Sequence, residues 1–578
     1  MQERKSKMRK ETFLQGILVL VFSQVLIKVL GLVQTLYLTN RKGFGDSGNA
    51  IYMGSYQIYA LLLSISSIGI PNAISKLVSE RVAIGDNSGA HKVFKVALLT
   101  FGIIGMVGTL LLFFGAGFIS DVWLEIPESK ITLMILSPGV FFVAISSVFR
   151  GYFSGRQQMR ATANAQSFEQ FWKTMLTIIF VELAVIWTST NTTYMAAAAT
   201  AATSTAILFS FIYLYRYYIT ERKFISTKNE DGVKSENKTV KSIVKTILWI
   251  SIPISLTAIL SSVNKLVDSM TVVKMLKPIL GEETAKIKYG ILSAKVDILT
   301  SLPLAFNVAF ATALVPAISA ANAQNDNDTI NKRVSFSLLL SLLIGLPCTI
   351  GMFLYPNEIL LLLFPNASDG GTLLAISAFT IIFTILAQTI NGILQGFGKV
   401  QIPVFALGIG VVVKIIANIV LMPIEGIYEN GAAIGSVLCH MISFIIVYIA
   451  LRKTTKLNFS LFKLAVKPAI ATLIMGIVSY GVYFLLKPMG LIRIVTIITI
   501  FVAVVVFVLS VLFLKIFSKE EIEMLPKGEK VYSFLKKLHF CDKILVNFLQ
   551  KKWGSAEKIV KNREKKKDFI LLWRINIL

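Results

Sequence analysis

Long apolar runs recur along the whole chain and limit what it can fold into. We count fourteen runs, each as long as the about 20 residues that cross a hydrocarbon core of about 30 Å. Backbone groups in lipid must satisfy their own hydrogen bonds, and these runs are continuous rather than alternating. They therefore predict an all-α polytopic membrane protein with about 14 transmembrane helices. The runs lie at 13–38, 51–74, 93–119, 131–153, 164–187, 194–215, 244–272, 289–318, 334–356, 372–397, 401–423, 431–451, 464–486 and 491–517.

The positive charge of the chain is concentrated on one side of the predicted membrane. The formal net charge is +26, from 58 Lys and Arg and 32 Asp and Glu. When alternate loops are assigned to opposite sides, most Lys and Arg fall on the side of the termini. This is the positive-inside pattern, and it predicts that both termini are cytoplasmic. We therefore expect no nucleic-acid partner, and the basic tail suits anionic membrane lipids.

A polar stretch lies between two halves of six runs each, and two further runs follow the second half. It is the longest polar interruption between runs and predicts a solvated linker. Because six is even, both halves enter the membrane from the same side, so an axis along the membrane normal relates them. The predicted domains are an N-terminal six-helix lobe at 1–216, a cytoplasmic linker at 217–242, a C-terminal six-helix lobe at 243–451, two extra transmembrane helices at 452–517 and a basic cytoplasmic tail at 518–578.

Short matches between the halves indicate a duplication. They occur in the same order in both halves and at similar offsets, and each falls at a similar place relative to its apolar run. They therefore predict two pseudo-symmetric lobes. The matched pairs are Gly151 with Gly392, Gly155 with Gly396, Ala165 with Ala406 and Lys173 with Lys414, all 241 residues apart; Lys28 with Lys265, 237 apart; and Pro71 with Pro316, in two Pro–Ala–Ile–Ser-like motifs, 245 apart.

Charged residues inside the runs are the strongest functional signal. A lysine or aspartate at the centre of a membrane helix costs about 2.5–3.5 kcal/mol on insertion scales. Glu169 and Lys173 are four residues apart and can pair on one helix. Lys265 and Asp268, three apart, can pair likewise. The intramembrane set that we consider is Lys28, Glu169, Lys173, Glu182, Lys265, Asp268, Lys295, Asp297 and Lys414.

Two of these charges lie near run ends and two lie deep inside runs. Glu182 and Lys295 can snorkel to the headgroups. Lys28 and Lys414 have no acid within one turn, so each needs a partner from another helix, a water-filled cavity or an anionic ligand. Lysines facing one cavity would suit a phosphate or pyrophosphate. The candidate headgroup-cavity residues are Lys28, Lys173, Lys265 and Lys414, and the candidate coupling or pairing acids are Glu169, Asp268 and Asp297.

Patterns for metal binding and for catalysis do not stand out. The three cysteines and three histidines show no ligand or disulfide spacing, so we expect no metal site and no cofactor. Glycosyl transfer generally needs positioned carboxylates, and the candidates Asp121, Glu125 and Glu128 share one short loop. We therefore expect that the protein is not an enzyme.

Several motifs resemble those of one family of exporters. They match the stage V sporulation protein B and polysaccharide-export branch of the multidrug, oligosaccharidyl-lipid and polysaccharide (MOP) superfamily, over roughly residues 10–515. Ala161 departs from the pattern, because relatives often have proline there. The motifs are Arg150-Gly-Tyr-Phe-Ser-Gly, Met159-Arg-Ala-Thr-Ala, Glu169-Gln170, Gly69-Ile-Pro-Asn-Ala-Ile-Ser-Lys and Gln395-Gly-Phe-Gly-Lys followed by Pro403.

The resemblance implies a fold and a function. It implies two six-helix lobes around a central cavity, plus two C-terminal helices, in the bacterial cytoplasmic membrane. Members of the nearest branches, including lipid II flippases, move undecaprenyl-pyrophosphate-linked sugars. In those flippases a cationic cavity takes the headgroup, and Lys28 corresponds to the region that carries cavity cations.

Three functions compete at this point. The first is a flippase for a polyprenyl-(pyro)phosphate-linked oligosaccharide that works by alternating access. The second is a cation-coupled multidrug exporter of the same superfamily, which would favour intramembrane acids over lysines. The third is a membrane glycosyltransferase or polymerase, which the short loops disfavour. We expect the first, with a lipid-linked oligosaccharide as substrate, and the residues leave its coupling ion open.

Overall fold

The structure is a computed structural model that describes residues 13–64, 69–222, 239–324, 326–454 and 460–517. These residues form seventeen α-helices and no β-strand. The core of the predicted linker and the tail at 518–578 lie outside the described residues. The helices, numbered in chain order, are α1 (Phe13–Asn40), α2 (Gly45–Ser64), α3 (Ile70–Ala83), α4 (Asn87–Phe118), α5 (Ser129–Gly155), α6 (Met159–Thr188), α7 (Thr192–Arg222), α8 (Val240–Leu280), α9 (Glu282–Gly290), α10 (Asp297–Ala323), α11 (Asn327–Leu354), α12 (Pro356–Leu363), α13 (Gly371–Gly396), α14 (Gln401–Leu421), α15 (Asn430–Thr454), α16 (Leu461–Leu486) and α17 (Ile492–Phe513).

The helices confirm the all-α polytopic fold. A helix overlaps each of the fourteen predicted runs. Within the described ranges, eleven helical segments are long and apolar enough to cross a membrane. The helices at runs 13–38, 51–74 and 244–272 are outside that set, and the second of these runs is divided between α2 and α3. The count of fourteen spans therefore stays a prediction.

The two halves repeat the same close helix crossing. A Cβ atom at Gly151 on α5 would stand 2.8 Å from the carbonyl oxygen of Pro71 on α3. One at Gly392 on α13 would stand 2.6 Å from the carbonyl oxygen of Ala311 on α10. Only glycine permits backbones to approach this closely. The crossing pairs Pro71 with Ala311, so the expected match of Pro71 with Pro316 is five residues out of register.

Other equivalent contacts extend the repeat along each half. Gly105 on α4 approaches α5, and Gly345, 240 residues later, approaches α13 in the same way. The Asp86 carboxylate caps α4 by accepting from the Gly89 amide at 2.8 Å. Asp326 caps α11 through the Thr329 amide at 3.0 Å. These equivalent contacts support the two pseudo-symmetric lobes expected from the sequence, and we assign α1–α7 to the first and α8–α15 to the second.

The hydrophobic cores differ between the two ends of the bundle. We call one the linker end, where the helices lead to the linker, and the other the far end, which carries the loop at 364–370. At the far end one core takes residues from both lobes, such as Leu38 and Leu276. At the linker end the described residues form two cores. The core around Phe94 combines first-lobe residues with Ile243 and Ile247 at the start of α8, and the core around Ile390 lies in the second lobe. At this end the lobes therefore share a core only through the start of α8.

The extra helix α16 is attached to the second lobe. Gly476 lies within van der Waals reach of α11. The Tyr355 hydroxyl donates to Ser479 at 2.8 Å, and the Tyr483 hydroxyl donates to Glu358 at 2.6 Å. The described residues up to Ser510 form one compact unit, which contains α16. Inside this unit, α16 is therefore fixed to the second lobe through α11 and α12.

Candidate functional site

Two adjoining chambers lie between the lobes. The first, of about 340 Å³, is lined by residues that include Lys28, Lys173 and Lys265, and we call it the cationic chamber. The second, of about 190 Å³, lies mostly in the second lobe and has Lys414 in its wall, and we call it the C-lobe chamber. Lys265 and Asp297 line both. The structure therefore brings three predicted site lysines into one chamber and places the fourth in the next.

Lys28 and Lys173 face the cationic chamber without a carboxylate partner. Within the described ranges, neither side chain takes part in an ion pair. The Lys173 ammonium lies 4.4 Å from the centroid of the Tyr56 ring, which is a cation–π contact. The Thr174 hydroxyl donates to the Leu30 carbonyl at 3.3 Å and fixes α6 against α1. Two ammonium groups on adjacent helices thus line the chamber with their charge unneutralised.

Glu169 does not form the intrahelical pair with Lys173 that their spacing predicts. Its carboxylate accepts a hydrogen bond from the Arg150 guanidinium on α5 at 2.9 Å. The same nitrogen of Arg150 also lies 3.5 Å from the Ser210 hydroxyl. Arg150 is within the fourth run, so the sequence does contain the signal for this partner. Because the guanidinium takes the carboxylate, the charge of Lys173 stays unneutralised.

The acids of the second lobe are partnered across helices. Lys265 on α8 pairs with Asp297 at the start of α10, and not with Asp268 as the spacing predicts. Asp268 instead accepts from Lys414 on α14 at 2.7 Å, and Lys414 also donates to the Asn264 carbonyl at 2.8 Å. Lys414 is only 1% exposed. Of the three explanations that the sequence allowed for a deep Lys414, the structure shows a partner from another helix.

Lys295 is fully buried and does not snorkel to the headgroups as its position near a run end predicts. Its ammonium donates to the Asp46 carboxylate at 2.9 Å and to the carbonyls of Ala367 and Asp369 at 2.8 and 2.9 Å. Asp46 belongs to the first lobe and Lys295 to the second. The π-helical segment Ile291–Val296 carries the lysine to this contact. The ion pair therefore ties the two lobes together at the far end.

A second ion pair joins the lobes at the same end. Lys286 on α9 is 3% exposed and donates to Glu128 of the first lobe at 2.7 Å. Glu182, the other charge near a run end, pairs with Arg41 at 2.7 Å. The far end is thus closed by a shared core and by buried ion pairs.

In the part of the chain that the structure describes, no group of three His, Cys, Asp or Glu side chains is placed to hold a metal ion.

Two family models match this chain. The one described as polysaccharide biosynthesis protein covers residues 13–322. The chain belongs to the polysaccharide biosynthesis protein family. A second model, MatE, matches residues 293–420, which lie in the second lobe. The family membership and the duplicated fold confirm the resemblance to MOP exporters drawn from the sequence motifs.

Three proteins of Bacillus subtilis (strain 168) are similar to this family member. The uncharacterized membrane protein YabM is 28% identical over 73% of this chain and 76% of its own length. Stage V sporulation protein B is 24% identical over 74% and 82%. Lipid II flippase MurJ is 22% identical over 80% and 87%. The chain is thus a multi-pass cell-membrane transporter of the MOP superfamily.

Solved structures show the same fold. The lipid II flippase MurJ in an inward closed conformation superposes with a TM-score of 0.67 at 16% identity, over 86% of this chain and 99% of that one. An inward-facing multidrug transporter of the MATE family superposes with a TM-score of 0.61 at 14% identity, over 76% and 99%. Both likenesses confirm the polytopic fold of this polysaccharide biosynthesis family member.

Proposed function

We propose that this transporter moves a polyprenyl-(pyro)phosphate-linked oligosaccharide across the cytoplasmic membrane by alternating access. The observation that carries the proposal is the cationic chamber. Its lining holds Lys28, Lys173 and Lys265 against a single acid, Asp297. Placing a cation inside the membrane costs free energy, and binding an anionic ligand can offset that cost. Lysine binds phosphate as a point charge without fixing its orientation, which suits a headgroup that must bind and leave.

The chamber walls come from both lobes, and this supports alternating access. Lys28 and Lys173 lie on α1 and α6 of the first lobe, whereas Lys265 lies on α8 of the second. A ligand shifts a conformational equilibrium only through different affinities for the two states. A headgroup held by both lobes gains its full set of contacts only while the lobes are close. Its departure then allows the lobes to separate.

The ion pair between Lys265 and Asp297 can break and re-form during this cycle. In the structure its ammonium is held by Asp297. A phosphate that enters the chamber competes with Asp297 for the same ammonium. We therefore assign Lys28 and Lys173 to headgroup binding, Lys265 with Asp297 to release, and the Lys414–Asp268 pair to the support of the chamber wall.

Transport by reconstituted protein tests the proposal. Removing the charge of Lys28 or Lys173 by substitution with alanine should lower the rate of lipid-linked oligosaccharide flipping about 10- to 100-fold, the equivalent of one charge-assisted hydrogen bond. Lys274→Ala is the matched control, because Lys274 is an exposed lysine on α8 outside both chambers. Wild-type rates in both chamber variants would overturn the proposal.

The MatE match favours a cation-coupled multidrug exporter as the second candidate. A cationic substrate calls for acids that are free to meet it. Asp268 and Asp297 are each paired with a lysine, and Glu169 is paired with Arg150. Purified protein should therefore bind a polyprenyl pyrophosphate and not a cationic dye, and the reverse selectivity would favour the exporter.

We also propose that the linker end faces the cytoplasm, on the support of the positive-inside pattern. Cys541 lies in the basic tail, and its labelling reports the side. A membrane-impermeant thiol reagent should label Cys541 only after cells are permeabilised. A Cys541→Ser variant gives the background, and labelling of intact cells would reverse the orientation.

A further inference from the structure

The C-lobe chamber differs in charge from the cationic chamber. Its lining holds two lysines and two aspartates, and each lysine is engaged by an aspartate: Lys265 by Asp297 and Lys414 by Asp268. The cationic chamber has three lysines and one aspartate. A phosphate gains from the excess positive charge of the cationic chamber and finds no such excess in the C-lobe chamber. The second chamber is therefore suited to a neutral group.

Hydroxyl and amide groups supply most of the remaining polar lining of the C-lobe chamber. All of these groups except that of Gln57 come from the second lobe, chiefly from α10 and α13. Each hydroxyl both donates and accepts, as do the hydroxyls of a sugar. They include Thr300, Ser377, Thr380, Thr384, Gln388 and Ser436.

One of these hydroxyls lacks a partner in the folded chain. Ser377 is 4% exposed, and its Oγ has no hydrogen-bond partner in the described structure. Buried polar atoms in native proteins are almost always paired, because an unpaired one loses its hydration without compensation. Ser377 lines the chamber, so a ligand group in that space can supply the missing partner.

The two chambers are placed to hold one ligand between them. Gln57, Ser293 and Ser301 line both, as do Lys265 and Asp297. The C-lobe chamber has a volume of about 190 Å³. This is below the range of roughly 300–1,000 Å³ for pockets that enclose a drug-sized ligand. It therefore fits the part of a headgroup next to the phosphate rather than a whole oligosaccharide.

From these observations we propose that the C-lobe chamber is a carbohydrate subsite. It receives the sugar attached to the phosphate while the phosphate lies with Lys28 and Lys173 in the cationic chamber. This inference rests on the proposed function and adds to it a second point of recognition. The protein then distinguishes a glycosylated lipid from the bare polyprenyl pyrophosphate.

A binding comparison with two probes tests the subsite. Full-length protein in nanodiscs is titrated with a polyprenyl pyrophosphate and with the same lipid carrying one N-acetylhexosamine. The wild type should bind the glycosylated probe more tightly. Ser377→Ala and Thr384→Val should each lower this preference about fivefold, the loss of one neutral hydrogen bond, with affinity for the bare lipid unchanged.

Stability measurements separate recognition from folding. Because Ser377 Oγ is unpaired in the empty protein, Ser377→Ala should leave the thermal midpoint of the ligand-free protein unchanged or raise it. Thr349→Val is the matched control, since the Thr349 hydroxyl is also buried and unpaired in the second lobe but lies outside both chambers. It should show the same stability response and no change in preference.

The outcomes separate this inference from the proposed function. An unchanged preference in both chamber variants, an equal loss for both probes, or a wild type that does not distinguish the probes would overturn the carbohydrate subsite. Lys173→Ala should weaken both probes equally. If Lys173→Ala weakens the binding of neither probe, the phosphate site and the proposed function are wrong, whatever the result for Ser377→Ala and Thr384→Val.

Discussion

Lys173 and Lys414 occupy matching positions in the two lobes, yet their surroundings are opposite. Lys173 stands over the Tyr56 ring in a chamber, with no acid partner in the described structure. Lys414 is buried and held by Asp268. The duplication supplied a lysine to each lobe at the same helix crossing. The residue on the facing helix decides whether the charge of that lysine is neutralised inside the protein.

The facing residue can be read from the repeat. At the 237-residue offset of Lys28 and Lys265, the counterpart of Asp268 is Gly31. The helix contacts agree with this correspondence. In the first lobe the Leu30 carbonyl contacts Thr174, and in the second lobe their counterparts, Val267 and Ile415, lie in one hydrophobic cluster. The first lobe therefore has glycine where the second has the neutralising carboxylate. This difference, together with the pairing of Glu169 with Arg150, leaves Lys173 with an unneutralised charge.

The largest expected effect comes from breaking the buried pair. Asp268→Ala leaves the Lys414 ammonium uncompensated at 1% exposure, which should cost about 3–5 kcal/mol of folding free energy. Lys173→Met should change stability little, since its cation–π contact is worth about 0.5–2 kcal/mol. Thermal unfolding in detergent compares the two. Equal losses would mean that the two lysines do not differ in role.

Converting one lobe into the other is a sharper test. Gly31→Asp should place a carboxylate near Lys173 and Lys28 and lower flipping about 10- to 100-fold, as a charge-assisted contact to the headgroup is lost. A Cβ at Gly31 meets nothing closer than 3.8 Å, so the site has room for it. Gly31→Ala is the control and should transport normally. Normal transport by Gly31→Asp would show that Lys173 does not need its free charge.

The shared helix crossing should respond equally in both lobes. Gly151→Ala and Gly392→Ala each force a methyl group against a backbone carbonyl, at 2.8 and 2.6 Å. Each should destabilise the protein by about 1–3 kcal/mol through overpacking. A large difference between their thermal midpoints would mean that the lobes do not share this packing. Gly102→Ala, where a Cβ meets open space, is the control.

The helix N-caps should have the smallest effect on stability. The cap of the second lobe should lose its contribution as the pH falls. Asp86 is buried, caps α4 and pairs with Arg81 at 2.6 Å, whereas Asp326 caps α11 from a half-buried position. The hydrogen bonds from Thr329 lower the pKa of Asp326 below its usual value. Its contribution is therefore full above the unfolded-state pKa and is lost as pH falls through the folded-state pKa. Asp326→Asn should flatten the stability profile there, and an unchanged acid limb would contradict this.

The sequence anticipated the architecture better than the partners of its charges. Apolar runs locate the helices because lipid imposes a length and a composition on each. The repeat with an offset of 241 residues could be found from Gly151 and Gly392, because both stand where two helix backbones approach closely and only glycine fits. The Pro71 match was misplaced, since a short motif does not fix the register.

The ion pairs could not be predicted from spacing along one helix. Glu169 and Asp268 each lie one helical turn from a lysine on their own helix, yet each forms its ion pair with a residue of another helix. Lys295 is likewise held by Asp46 from the other lobe. Contacts of this kind depend on how helices face one another, which hydropathy does not encode. The lysines themselves were found because charge in lipid is costly and therefore conspicuous.

The unequal charge of the cationic chamber predicts a carrier that responds to the membrane potential. Three lysines and one aspartate leave two positive charges in the lining when it is empty. A full membrane crossing changes the electrical energy by about 2.3 kcal/mol per charge for each 100 mV. The pyrophosphate that joins lipid to sugar has one ionised oxygen on each phosphorus, so its charge offsets that of the lining. We therefore predict that an imposed potential in vesicles changes the return of the empty carrier and leaves the loaded step unaffected, and equal sensitivity of both steps would refute it.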